Sequence, residues 1–133
     1  MKDRVLDASA LAYAFLGKAS AAADLRAELR EVRCHAPHLI DAELGNVLRK
    51  RVRAGDITAA EALTALRAAR MIIDIRYPHT GVLAEHAWEL RDNFSFYDAL
   101  YVSLATRLEL PLVTGDKRLC KAPGITCDVE LLR

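Results

Sequence analysis

The stretch Ser95 to Asp116, SFYDALYVSLATRLELPLVTGD, narrows the possible folds more than any other part of the chain. Tyr97, Leu100, Tyr101, Leu104, Ala105 and Leu108 recur at i, i+3, i+4, i+7, i+8 and i+11, the apolar stripe of a helix that docks along one side. Ser95 stands where an N-cap belongs and Glu109-Leu110-Pro111 closes the helix. Leu112-Val113-Thr114 then reads as a short buried strand, and Gly115-Asp116 turns the chain. A helix followed by a parallel strand runs back to the carboxyl edge of its sheet, where open α/β sheets place their ligands. Asp98, in the first helical turn, and Asp116, just past the strand, are therefore expected to share one crevice.

The rest of the chain alternates in the same way. Arg4-Val5-Leu6 is a short strand ending at Asp7, and an apolar helix spans Ala8 to Leu16. After the break at Gly17-Lys18, Ser20 is expected to cap a helix reaching about Glu31, and Val32 to His35 forms a second strand halted by Pro37. The next helix runs from about His38 to Arg53, with Ile40, Glu43, Leu44 and Val47 on one face. Glu43 thus lies on the apolar stripe, where a carboxylate is rarely found unless paired or bound to metal. Gly55 ends this helix, and Thr58 with Glu61 makes a capping box for an Ala-rich helix to Arg70. Ile72 to Ile75 is the expected third strand. Val82, Leu83, His86, Ala87 and Leu90 mark another helix, Lys117 to Cys120 a helical turn, and Ile125 to Cys127 a last strand. Such alternation predicts an α/β fold with a short, mostly parallel central sheet flanked by helices on both faces.

A chain of 133 residues supports one domain, 1–133, with a single core. With 53% hydrophobic but only 6% aromatic residues, it suits helical and α/β packing rather than a β-sandwich. The net charge of +1 supplies no global basic field, so any nucleic-acid contact must come from a local patch. Cys34, Cys120 and Cys127 are odd in number and form no C-x-x-C pair, which argues against a disulfide framework or zinc site. His35 and His38 are separated by Pro37, and His79 and His86 have no partner at a metal-site spacing. The opening MKDRVLD is not an apolar signal segment, and no run approaches a membrane span, so a reducing, cytoplasmic setting is expected.

Asp7, Asp98 and Asp116 each sit at an element edge, and Glu43 points inward beside them. Taken one by one, they have local readings: Asp98 follows Ser95 at the capping-box spacing, and Asp116 suits an N-cap for the turn at Lys117. Taken together, each like-charged pair within ~5 Å would cost about 3 kcal/mol at an effective dielectric near 20, so the group needs a cation or protons. Hard oxygen ligands without soft partners select Mg²⁺ or Mn²⁺. Ser9 and Thr114 lie beside Asp7 and Asp116, and Asn46 one helical turn beyond Glu43; they suit orienting a carboxylate or bonding locally to backbone. Two basic groups stand out. Arg49, Lys50, Arg51 and Arg53 complement a helix C-terminus, whereas Lys117, Arg118 and Lys121 follow Asp116 and are the better placed for phosphate contact.

VLDASAL at Val5 to Leu11, APHLIDAELGNVLRK at Ala36 to Lys50 and FYDALYVSLATRLELPLVTGDKRL at Phe96 to Leu119 resemble the PIN-domain ribonucleases, in particular the VapC-type toxins of bacterial toxin-antitoxin pairs. The last block is the most specific, and the resemblance covers nearly the whole chain. It implies a PIN-like three-layer fold in which Asp7, Glu43 and Asp98 match the acids holding a divalent metal and Asp116 the fourth acid. Ser9, Asn46 and Thr114 match the polar residues around them. It further implies a Mg²⁺- or Mn²⁺-dependent endoribonuclease that cleaves RNA phosphodiesters by metal-activated water. A homodimer neutralised by a VapB-type antitoxin is also implied. A phosphorylated receiver domain would need a second acid where Ala8 stands, and a haloacid-dehalogenase phosphatase an Asp in place of Ser9. The alternative from another class is a catalytically silent PIN-fold module that binds RNA or an antitoxin.

Overall fold

Very short strands dictate the architecture, because three or four residues each are stable only as members of a larger sheet covered by helices. The structure, a computed structural model, describes residues 2–132. Its elements are β1 (Arg4–Leu6), α1 (Ala8–Leu16), α2 (Ser20–Leu29), β2 (Cys34–Pro37), α3 (Leu39–Arg53), α4 (Ala59–Ile72), β3 (Ile75–Tyr77), α5 (Val82–Glu89), α6 (Phe96–Leu108), β4 (Leu112–Thr114), α7 (Lys117–Cys120) and β5 (Val129–Leu131). The strands pair in the order β3-β2-β1-β4-β5, every pairing parallel. The chain moves outward from β1 through β2 to β3, then returns to lay β4 on the other side of β1. With right-handed crossovers, that reversal puts α1 to α4 on one face of the sheet and α5 and α6 on the other, the three-layer arrangement expected. It also makes the boundary between β1 and β4 the topological switch point.

Buried leucine and valine fill the space between layers. Val5, Leu6, Leu11, Ile40, Leu44, Leu112 and Val113 are wholly enclosed, each Leu stabilising the fold by ~1.5–3 kcal/mol relative to exposure. The stripe expected on α6 proves too narrow a description. Every residue from Ala99 to Ala105 is buried, because α6 lies against β1, β2 and β4 while α5 packs beside it. Tyr97, assigned to the stripe, is instead 59% exposed. Ser103 survives in this apolar setting because its Oγ lies 2.7 Å from His86 Nδ1. Ser95 caps the helix by accepting from Asp98 N at 3.1 Å, and Glu109 ends it in the left-handed region (φ 56°).

Several boundaries differ from expectation. Ser20 is the first residue of α2 rather than its cap, and the N-cap Ala19 has no side-chain bond. Strand β2 runs through Pro37, because β1 pairs only with Cys34 and His35 and leaves nothing for the missing proline N–H to meet. Helix α4 continues to Ile72, which pushes β3 on to Ile75–Tyr77. Its start follows expectation: Glu61 N donates to Thr58 Oγ1 at 3.1 Å and Thr58 N to Glu61 Oε1 at 2.9 Å. The last strand is Val129–Leu131, not Ile125 to Cys127. Among the described residues no helix is long and apolar enough to cross a membrane.

Candidate functional site

The switch point is lined with carboxylates. Asp7 continues β1 and caps α1, its Oδ1 accepting from Ala10 N at 2.9 Å. Glu43 comes from the middle of α3, Asp98 from the first turn of α6, and Asp116 follows β4. All four line one crevice of about 280 Å³, together with Ser9, Asn46, Lys50 and Tyr101. Asp98 and Asp116 also border an adjoining recess of about 300 Å³ that includes Asn93, Ser95 and Arg118. A more apolar groove between α3 and α4, lined by Leu48, Val52, Leu63 and Leu66, has Arg49 and Arg53 along it but no acid.

Hydrogen bonds fix Asp7 from both sides of the switch point. Ser9 Oγ donates to its Oδ1 at 2.6 Å, and Thr114 Oγ1, at the end of β4, donates to its Oδ2. Those hydroxyls are oriented in turn by backbone, Gly115 N donating to Ser9 Oγ at 2.8 Å and Asp116 N to Thr114 Oγ1 at 3.0 Å. With each hydroxyl proton committed to Asp7, the 3.3 Å approach of Ser9 Oγ to Thr114 Oγ1 is a contact rather than a bond. Ser9 and Thr114 therefore lock β1 to β4 through the carboxylate. Asn46 lies on the crevice wall, exposed.

The remaining acids have different partners. Tyr101 Oη donates to Glu43 Oε1 at 2.6 Å. Asp116 accepts from Arg118 three times: from the backbone N at 2.9 Å and Nε at 3.1 Å on Oδ1, and from a terminal nitrogen at 2.7 Å on Oδ2. Asp116 is thus both the cap of α7 and one half of an ion pair. No ion pair holds Asp7, Glu43 or Asp98 among the described residues, although Lys50 borders the crevice.

Ionisation follows from these surroundings. Burial raises the pKa of Asp7, partly opposed by the bonds from Ser9, Thr114 and Ala10 N. Burial likewise raises Glu43, against the Tyr101 bond and reinforced by the charges of Asp98 and Asp7. Asp98 is raised by burial and then by Asp116. Asp116 goes the other way, held low first by the Arg118 side chain. Three carboxylates thus stand in a partly dehydrated place without an ion-pair partner among the described residues, the Arg118 charge only partly offsetting the rise at Asp98. Among the described residues, however, no three His, Cys, Asp or Glu side chains are arranged to hold a metal ion together. Glu43 and Asp116 are held by Tyr101 and Arg118.

Two residues at this site escape the sequence patterns used to find it. Lys50 reads as part of a helix-terminal cluster, yet it follows Glu43 by seven residues and Asn46 by four, so a helical wheel puts all three on one face. Tyr101 reads as core; its position one turn after Asp98 was the available signal. Of the basic residues following Asp116, Arg118 borders the adjoining recess, while Lys117 and Lys121 are exposed and outside both concavities.

Comparison with known proteins identifies matching architecture and sequence. A PIN domain model matches residues 4–125. Ribonuclease VapC1 of Mycobacterium tuberculosis is 49% identical over 133 residues, covering 100% of both chains. Ribonuclease VapC9 of the same organism is 39% identical over 128 residues, covering 96% of this chain and 97% of its own. A crystal structure of VapBC2 from Rickettsia felis bound to a DNA fragment from its promoter superposes with a TM-score of 0.73 at 16% identity. It covers 98% of this chain and 99% of the other, a likeness of fold.

Proposed function

This chain belongs to the PIN-domain family and, within it, to the VapC ribonucleases, and from that premise we propose that it is a Mg²⁺- or Mn²⁺-dependent endoribonuclease, the toxin of a toxin-antitoxin pair. The observation that carries this reading is the set of three carboxylates, Asp7, Glu43 and Asp98, gathered at the β1/β4 switch point without a cationic partner among the described residues. The donor set fits a hard divalent cation, being all oxygen with hydroxyls and an amide beside it. Asp7, Glu43 and Asp98 would hold the ion once their side chains close on it, since no three are spaced for one as they stand among the described residues, and Asp116 would be the fourth acid once it leaves Arg118. Bound there, a divalent ion neutralises phosphoryl charge and lowers the pKa of coordinated water.

The chain's own residues do the rest. Ser9 and Thr114 keep Asp7 at a fixed angle by donating to both of its oxygens. Tyr101 restrains Glu43 from the floor of the crevice. Lys50, exposed and bordering the crevice, would serve as a cation for an incoming phosphodiester, and Lys117, Arg118 and Lys121 would extend positive charge along the Asp116 side. Asn46 is placed to hydrogen-bond water or substrate. A VapB-type antitoxin, supported by the VapC names of the relatives and the VapBC complex of like fold, and a homodimeric state complete the proposal.

Incubating purified chain with total cellular RNA and Mn²⁺ tests the activity, with chelator and Asp98→Asn as controls. Discrete fragments lost in both controls are expected. RNA left intact by wild type under all conditions, with retained RNA binding, would instead favour the silent binding module.

A further inference from the structure

Among the four crevice acids, Asp116 alone has a salt-bridge partner within the described residues, and that partner is two residues away on the same turn. Arg118 grips both carboxylate oxygens through Nε and a terminal nitrogen, while its backbone N caps one of them. This takes three of the roughly four acceptor positions that Asp116 could offer a cation. Arg118 is 84% exposed in its side chain and Asp116 25%, so the arginine can leave at little packing cost, whereas the carboxylate stays fixed at the end of β4. Arg118 and Asp116 border the recess that opens on Asp98. We propose that Arg118 is an internal counter-ion of Asp116 that competes with the divalent metal, so that loading the site requires exchange of the guanidinium for the ion. This deepens the metal-dependent reading and rests on it. Arg118 is a positioning residue, setting when Asp116 is available.

The arrangement makes a specific demand. Removing any nearby positive charge helps a cation bind, by a long-range effect that salt screens. Removing the direct partner of Asp116 should help far more. Mn²⁺ titration by calorimetry of the full chain would compare wild type with Arg118→Ala, Arg118→Lys and Lys117→Ala. Arg118→Ala is expected to tighten Mn²⁺ binding about three- to fivefold, the upper end of the scale for an exposed ion pair because this one is bidentate. Arg118→Lys, which keeps the charge without the fork, should fall between Arg118→Ala and wild type. Lys117→Ala should change affinity by less than about twofold. Both Arg118 and Lys117 are exposed, so neither change threatens the fold. Equal effects of Arg118→Ala and Lys117→Ala, or none, would overturn the exchange while leaving the metal site standing. Absence of Mn²⁺ binding in every variant would overturn the metal reading and this inference together.

Discussion

At the amino end of β1, Asp3 accepts from Arg33 N at 3.1 Å and lies 3.3 Å from His35 Nε2, while Arg4 pairs with Glu28 and Glu130. His35 is itself stacked on Tyr77 and 2.8 Å from its hydroxyl. At the carboxyl end of the same strand, Asp7 and Glu43 accept from hydroxyl donors, and neither they nor Asp98 form an ion pair among the described residues. The two ends differ in pKa direction accordingly: His35 first, then Arg33 N, hold Asp3 low, whereas burial first, with neighbouring charge, raises the three crevice acids. Charges that serve the fold are matched where they stand. Charges left unmatched at a switch point point to a ligand that matches them.

Neutralising the unmatched acids should separate the two ends most sharply. Asp7→Asn, Glu43→Gln and Asp98→Asn are each expected to reduce metal-dependent RNA cleavage by about 100-fold or more, beyond the 10–100-fold typical of losing a group that only orients a ligand. Glu43→Gln and Asp98→Asn should not lower the metal-free melting temperature, since each relieves repulsion. Asp3→Asn should do the reverse, lowering the melting temperature while cleavage stays at the wild-type rate. An early-melting Asp98→Asn that still cuts RNA would return that residue to a capping role.

Thr114→Val should sit between the extremes. It removes the hydroxyl shared by Asp7 and Asp116 N in a fully buried position, costing about 1–3 kcal/mol of stability. Cleavage should fall roughly 10–100-fold through loss of orientation at Asp7. Chemical denaturation and single-turnover cleavage read the two effects apart. Tyr101→Phe is smaller: loss of its bond to Glu43 should cost about 1 kcal/mol and reduce cleavage by roughly 10-fold or less.

The pH dependence gives the smallest effect and a sign that distinguishes the ends. Carboxylates with raised folded pKa values bind more protons when folded, so their destabilisation is absent below their ordinary values, 3.8 for Asp and 4.5 for Glu, and complete above the raised ones. Metal-free protein should therefore gain stability as pH falls from neutral toward the carboxylate range. Below 3.8 the trend reverses, because Asp3 and Asp116 have lowered values and their contribution is lost on protonation. Thermal melts across pH with and without saturating Mn²⁺ check this; the metal should erase the gain on mild acidification.

Much of this was legible where the signal is local. The capping box at Thr58 and Glu61, the cap at Ser95 and the helix of Ala8 to Leu16 depend on neighbours within a few residues, and the structure has them where the pattern placed them. Three-residue strands carry little such signal. Val129–Leu131 is a half-exposed edge strand defined by its pairing with β4, a contact no local pattern encodes. Ile72, β-branched and apolar, suits a strand as well as a helix, and the end of α4 retains it. At the crevice, the acids stood out as charges in apolar or edge contexts. Lys50 and Tyr101 were hidden because one resembled a helix-terminal cation and the other a core aromatic, and only tertiary packing brings them to the carboxylates.

Anomalous diffraction from crystals of the chain soaked in Mn²⁺ tests the central claim most directly. The account predicts a manganese peak between Asp7, Glu43 and Asp98 at oxygen-coordination distance, absent from Asp98→Asn crystals. Manganese bound only elsewhere, or a crevice left without it at saturating concentration, would contradict the assignment of these unmatched carboxylates as a metal site.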